Sequence, residues 1–193
     1  KSPSVIAFCL VCLGILAKNM PKRLAGYYLL NSYIILIPFD NVNQKRGGNR
    51  MANVFDTAKY ILEKSGKMST MKLQKLCYYS QAWALVWDDA PLFDEDFQAW
   101  ANGPVCPELF FKTKGMYSVS AKDETGGEEN LTDNQKDTIG KVLEYYGGHD
   151  AQWLSQLTHM EDPWLKARKG VPSGMGCNNI ITKESMALYY GGL

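Results

Sequence analysis

From position 51 onward the apolar residues recur at helical spacing, interrupted by one short alternating stretch and by glycine and proline stops. Asn53 is placed to cap a helix whose Val54, Phe55, Ala58, Ile61 and Leu62 share one face, with Gly66 as its stop. Ser69 or Thr70 then caps a longer helix through "MKLQKLCYYSQAWALVW". Its inner stripe is Leu73, Leu76, Cys77, Ser80, Trp83, Ala84 and Trp87, and Lys72, Lys75 and Gln81 fall largely outside that stripe. "LFDEDFQAWA" alternates and reads as a short strand around residues 97–101.

The stretch "QAWANGPVCPEL" follows, a rigid corner in which Gly103 is free to take φ > 0 and Pro104 fixes its own φ. It reads as a strand-to-helix junction, because Pro107 suits the first position of a helix "PELFFKTKG" that Gly115 stops. A second reading has the corner hold Trp100 and Asn102 out toward a partner. The burial expected of a large indole on an alternating strand favours the junction.

"MYSVS" is a second short strand, and "AKDETGGEEN" is polar, acidic and without an apolar anchor, which predicts a mobile loop. Thr132 and Gln135 form a capping box for a helix ending at Tyr146. Asp150 caps "AQWLSQLTHM", Asp162 followed by Pro163 starts "WLKARKG", and Thr182 caps "KESMALYY". The sum is an α+β, predominantly α-helical single domain over residues 51–193 with a small antiparallel sheet. The pairs Tyr78-Tyr79, Tyr145-Tyr146 and Tyr189-Tyr190 are each expected to turn one ring outward, as at protein interfaces.

Charge separates the chain into two parts. Its net charge of +1 hides a first fifty residues with seven Lys/Arg against Asp40 alone, and a remainder with fourteen Lys/Arg against nineteen Asp/Glu. The apolar runs at residues 5–17 and 24–38 are each shorter than the roughly 20 residues of a membrane span. "QKRGGNR" before Met51 back-translates to a purine-rich run of the kind that precedes a bacterial start codon, so residues 1–50 are expected to be translated upstream sequence or a leader, outside the fold.

Chemistry is sparse. Cys9 and Cys12 form a lone CxxC without a second ligand pair, and five unevenly spaced cysteines point to a reducing compartment. Cys77 lies on an apolar stripe, and His149 and His159 are the only histidines, His159 near Glu161 and Asp162. Helix-end capping explains that trio better than a metal or a general base. No nucleotide, hydrolase or zinc-protease motif occurs, so no catalytic residue, cofactor or metal is expected. Helix, glycine turn and helix over residues 60–81 outline a helix-turn-helix with Lys72 and Lys75 on its second element, but the net charge of −5 over residues 51–193 is the wrong sign for phosphates.

"MSTMKLQKLCYYSQAWALVW" followed by "PLFDEDFQAWANGPVCPEL" resembles the Panacea antitoxin domain, the phage-associated SocA-like group, as do the later "LTHMEDPWLKARKG" and "ITKESMALYY". The resemblance implies a small cytoplasmic antitoxin that neutralises a cognate toxin by direct binding, in some relatives as an adaptor that passes the toxin to a protease. Of the motif positions, Leu73 and Leu76 suit the core and Gly103, Pro104 and Pro107 the backbone. That leaves Lys72, Lys75, Tyr79, Trp100 and Asn102 as the partner-binding candidates. A DNA-binding regulator of phage or mobile-element origin is the alternative function.

Overall fold

The computed structural model describes residues 51–193 and, before them, three short strands, β1 (Arg23–Leu24), β2 (Tyr27–Leu30) and β3 (Tyr33–Ile35). These form an antiparallel meander with Tyr28 opposite Ile35 and Leu30 opposite Tyr33. The run at residues 5–17, the Cys9/Cys12 pair and the "QKRGGNR" stretch lie outside the described residues. The chain divides into two compact units, the second of which spans Asn49–Gly192.

Within this second unit the local cap signals hold. Helix α1 (Val54–Ser65) begins in a reciprocal box: the Asn53 side chain accepts from the Phe55 and Asp56 amides, and the Asp56 carboxylate accepts from the Asn53 amide. Strand β4 (Met68–Ser69) leads into α2 (Thr70–Trp87), capped by Ser69, whose hydroxyl accepts from the Lys72 amide. Strands β5 (Phe97–Trp100) and β6 (Gly103–Val105) precede α3 (Pro107–Lys112), and β7 (Ser118–Val119) pairs antiparallel with β4. Helices α4 (Asp133–Tyr146), α5 (Ala151–Thr158), α6 (Asp162–Ala167) and α7 (Lys183–Tyr190) complete the unit, with β8 (Ile180–Ile181) before α7. Thr132, Asp150 and Thr182 cap α4, α5 and α7 as their sequences require.

The structure is mostly helical with a small antiparallel sheet of order β6-β5-β8. Helix α2 is its axis, packed against α1, α4, α5, α7 and β6. Every residue from Leu73 to Ala84 is buried, so α2 has no outer face there. This corrects the expectation for Lys75 and Gln81. Helical periodicity assumes one wet side, whereas these polar side chains extend from the far side of α2 to satisfy backbone groups of neighbouring segments. The Gln81 amide donates to the Phe93 carbonyl and accepts from the Leu92 and Phe93 amides, and Gln74 brackets residue 106 by accepting from its N–H and donating to its carbonyl.

Three further expectations change. The "AKDETGGEEN" stretch is two short 3₁₀ turns (Ala121–Asp123 and Glu128–Asn130) held against α1, because the Asp56 carboxylate accepts from the Gly127 amide at 2.9 Å and the Asn130 side chain at 3.0 Å. A polar anchor replaces the missing apolar one, and a Cβ on Gly126 would collide with the Phe55–Asp56 backbone. At α6 the cap position belongs to Glu161, with Asp162 and Pro163 inside the first turn. Of the tyrosine pairs, Tyr78 and Tyr79 are both buried, while Tyr145 and Tyr189 are half-buried.

Because the core of this unit runs from Ala52 to Tyr190, a chain starting at Met51 is expected to give a helical circular dichroism spectrum and one cooperative melt. An insoluble or molten product from that chain, beside a well-folded full-length one, would contradict this.

Candidate partner-binding site

The two halves of the motif meet in one contact. Gly103 and Pro104 do not lie at a strand-to-helix junction; they form the returning strand of a tight hairpin, with Gln98 opposite Val105, Ala99 opposite Pro104 and Trp100 opposite Gly103. Ala101 and Asn102 turn the chain, and Gly103 closes the turn at φ +99°. From α2, Lys75 reaches this strand and its Nζ donates to the Pro104 carbonyl at 2.9 Å. A Cβ on Gly103 would sit 2.6 Å from Thr158 Oγ1 and 2.7 Å from Lys75 Nζ, so glycine is what lets the lysine and α5 close on the hairpin. Burial pulls the Lys75 ammonium down to about 7.

Two of the five candidate contact residues, Lys75 and Tyr79, therefore serve the interior. Lys75 is 1% exposed and Tyr79 is fully buried, stacked on Tyr146 at 4.1 Å between ring centres. Lys72 is half-buried and donates to the Gly147 carbonyl at 2.7 Å. Leu73 and Leu76 are core, Pro104 is buried, and Pro107 opens α3 behind Cys106. Trp100, half-buried like Lys72, and the exposed Asn102 remain at the surface. Asn102 is exposed and its carbonyl accepts from Ser155 Oγ at 2.8 Å, fixing the turn to α5.

Trp100 is half-buried, not interior. Its indole N–H donates to Gln98 Oε1 at 2.8 Å, its carbonyl accepts from Trp164 Nε1 at 3.0 Å, and its ring stands edge-on to Phe110 at 4.7 Å. Phe110 in turn contacts Phe111, which is 63% exposed, and His159 stacks on Trp164 at 4.2 Å beside Met160, 55% exposed. Hairpin, α3 and the α5–α6 connection thus contribute to one aromatic surface. Arg168 supports it from beneath, donating to the Ala99 and Met175 carbonyls at 2.7 Å each, its guanidinium 5.0 Å from the centre of the Trp164 ring. Phe110, Phe111, Met160 and Trp164 escaped the sequence reading because they come from separated segments; the clustering of aromatics around the corner was the available signal.

His159 ends α5 and is held below the ordinary histidine range by burial and by the charges of Lys75 and Arg168, so it is neutral at pH 7. Behind this surface Glu161 is buried, accepting from the Tyr190 hydroxyl at 2.7 Å and the Tyr79 hydroxyl at 3.2 Å. Burial pushes its carboxyl up to about 8 against those donors, so it too is largely neutral at pH 7. Among the described residues no group of three His, Cys, Asp or Glu is placed to hold a metal ion, and no helix is long and apolar enough to cross a membrane. Cys77, Cys106 and Cys177 are buried free thiols, and burial raises the first two above the ordinary range. The arrangement offers an apolar, shaped surface for binding.

A family model described as an antitoxin SocA-like Panacea domain matches residues 73–165. That span begins within α2 and ends within α6, enclosing the Lys75–Pro104 contact and the aromatic surface. No curated protein and no solved structure matches the chain.

Proposed function

Residues 73–165 match the SocA-like Panacea antitoxin family, and from that match we propose that the chain neutralises a cognate toxin in the cytoplasm by direct binding. The family match carries the antitoxin role. The aromatic surface around Trp100, Phe111, Met160 and Trp164 is the proposed toxin-binding face, with Asn102 at its edge. Tryptophan and other aromatics are enriched at interface anchors, and here they are half-exposed on fixed backbone, so little ordering is lost on binding. The function is binding without a catalytic step.

Two observations weigh against the DNA-binding alternative: residues 51–193 are net acidic, and α2 presents little beyond its first turn. In a helix-turn-helix the second helix must present side chains to the groove, and α2 is enclosed along residues 73–84.

Co-expression with the toxic gene encoded beside this one tests the proposal. Growth should be restored by the full chain and lost again with Trp100→Ala combined with Phe111→Ala, at equal amounts of folded protein. Rescue by neither form, together with a salt-dependent shift of the gene's own promoter fragment, would favour the regulator instead.

A further inference from the structure

The stretch that joins α5 to α6 carries two residues of the aromatic face, the 55% exposed Met160 and the half-buried Trp164, and between them lies the buried Glu161. Its carboxyl reaches the core. One oxygen accepts from the Tyr190 hydroxyl of α7 at 2.7 Å, and the Tyr79 hydroxyl of α2 lies 3.2 and 3.3 Å from the two oxygens. Tyr190 is in turn 3.5 Å from the Tyr78 hydroxyl. Glu161 therefore ties the stretch, and the part of the face it carries, to two core helices. Trp164 bonds sideways instead, to the Trp100 carbonyl of the hairpin.

No cation balances this carboxyl: among the described residues no salt bridge includes Glu161. Lys75, one turn before Tyr79 on α2, is spent on the Pro104 carbonyl, and Arg168 on the Ala99 and Met175 carbonyls. The phenols around it, Tyr78 and Tyr79 from α2 and Tyr190 from α7, are held well above the ordinary tyrosine range, first by burial and then by Glu161 itself. They stay neutral. Tyr146 of α4 stacks on Tyr79, and on the connecting stretch itself His159 is neutral at pH 7 while Asp162 is paired with Lys166. A buried carboxylate without a cation is costly, so this group is stable in its cage as the acid and gains by reaching water once charged.

We propose that Glu161 is a proton-controlled latch on the toxin-binding face: as the acid it holds Met160 and Trp164 in the binding arrangement, and on losing its proton it leaves the tyrosines for water, which loosens the face and lowers toxin affinity. The latch rests on the reading of that face as the toxin's site. Its release is favoured progressively as pH rises from the ordinary carboxylate range to about 8, and levels off above, where the held group is charged as well.

Hydrogen exchange of the amides at residues 159–165, followed from about pH 6 to about pH 9 in the full chain and in Glu161→Gln, tests the latch without toxin. Glutamine keeps an acceptor oxygen and has no proton to lose. The ratio of parent to variant exchange should rise by up to about tenfold per pH unit as far as pH 8 and then level, with these amides roughly tenfold or more less protected than those of residues 73–84 in α2. A ratio independent of pH, or protection equal to that of α2, overturns the latch. Over the same range the parent's affinity for the toxin should fall about threefold or more relative to the variant's, and parallel affinities overturn the latch as well. Unchanged affinity in Trp100→Ala combined with Phe111→Ala would instead overturn the face as the toxin's site, a result distinct from these. Should Glu161→Gln not fold, Tyr190→Phe against the parent carries the test: it removes a donor that favours the charged form, so exchange at residues 159–165 should exceed the parent's increasingly above about pH 8, and an equal rate overturns the proposal.

Discussion

Gly103→Ala is expected to destabilise the fold by about 3 kcal/mol, lowering the melting temperature by roughly 10 °C. Two effects add. The φ of +99° at this position is one that an L side chain rarely adopts, and the new methyl would lie 2.6 Å from Thr158 Oγ1 and 2.7 Å from Lys75 Nζ. Relief would require the hairpin to move off α5 or Lys75 to give up its bond to Pro104, leaving a buried ammonium without its acceptor. Toxin neutralisation should fall only in proportion to the loss of folded protein. A variant that melts within a degree or two of the parent would show that Gly103 is not what seats Lys75.

Glu161→Gln is expected to change the pH dependence of stability. The Glu161 carboxyl stands at about 8 in the folded chain against 4.5 ordinarily, so the folded state holds a proton that the unfolded state releases. Its contribution is full below pH 4.5 and is lost as pH rises toward 8. Glutamine has no proton to lose and keeps an oxygen for the Tyr190 and Tyr79 hydroxyls. Relative to the parent, the variant should therefore gain stability with rising pH, on the order of 3 kcal/mol between pH 5 and pH 8. Taking the difference between the two proteins removes the opposite slope of Lys75, which both share: lowered to about 7, it adds stability as pH rises from there toward 10.5. Parallel urea midpoints at every pH would contradict the buried neutral carboxyl.

What could be read from the chain alone was what is decided within a few residues. Asn53, Ser69, Thr132, Asp150 and Thr182 bond amides two or three positions away, so their helices were visible without the fold. Lys75 and Gln81 were placed wrongly by the same local logic, because their partners at residues 104 and 92–93 lie 11 to 29 positions off. Asp56 was not singled out in the sequence, although it both completes the box with Asn53 and anchors the loop at residues 127–130. Glu161, among charged neighbours in sequence, gave no sign that tyrosines from α2 and α7 enclose it. The aromatic surface failed for a different reason. Trp100 was recognisable, but burial was expected of it for its size; the strand alternates, with Phe97 and Ala99 inward, and puts Trp100 on the other face at the turn end of a short hairpin, where its ring meets Phe110 edge-on.

The most direct test measures toxin affinity and melting temperature side by side for the parent and for Trp100→Ala. If the aromatic surface is the binding face, the half-exposed indole should cost little stability when removed, while affinity for the toxin falls by about 2 kcal/mol, close to thirtyfold. Equal losses in the two measurements would make Trp100 a structural residue of the corner, and unchanged affinity would place the toxin elsewhere on the protein.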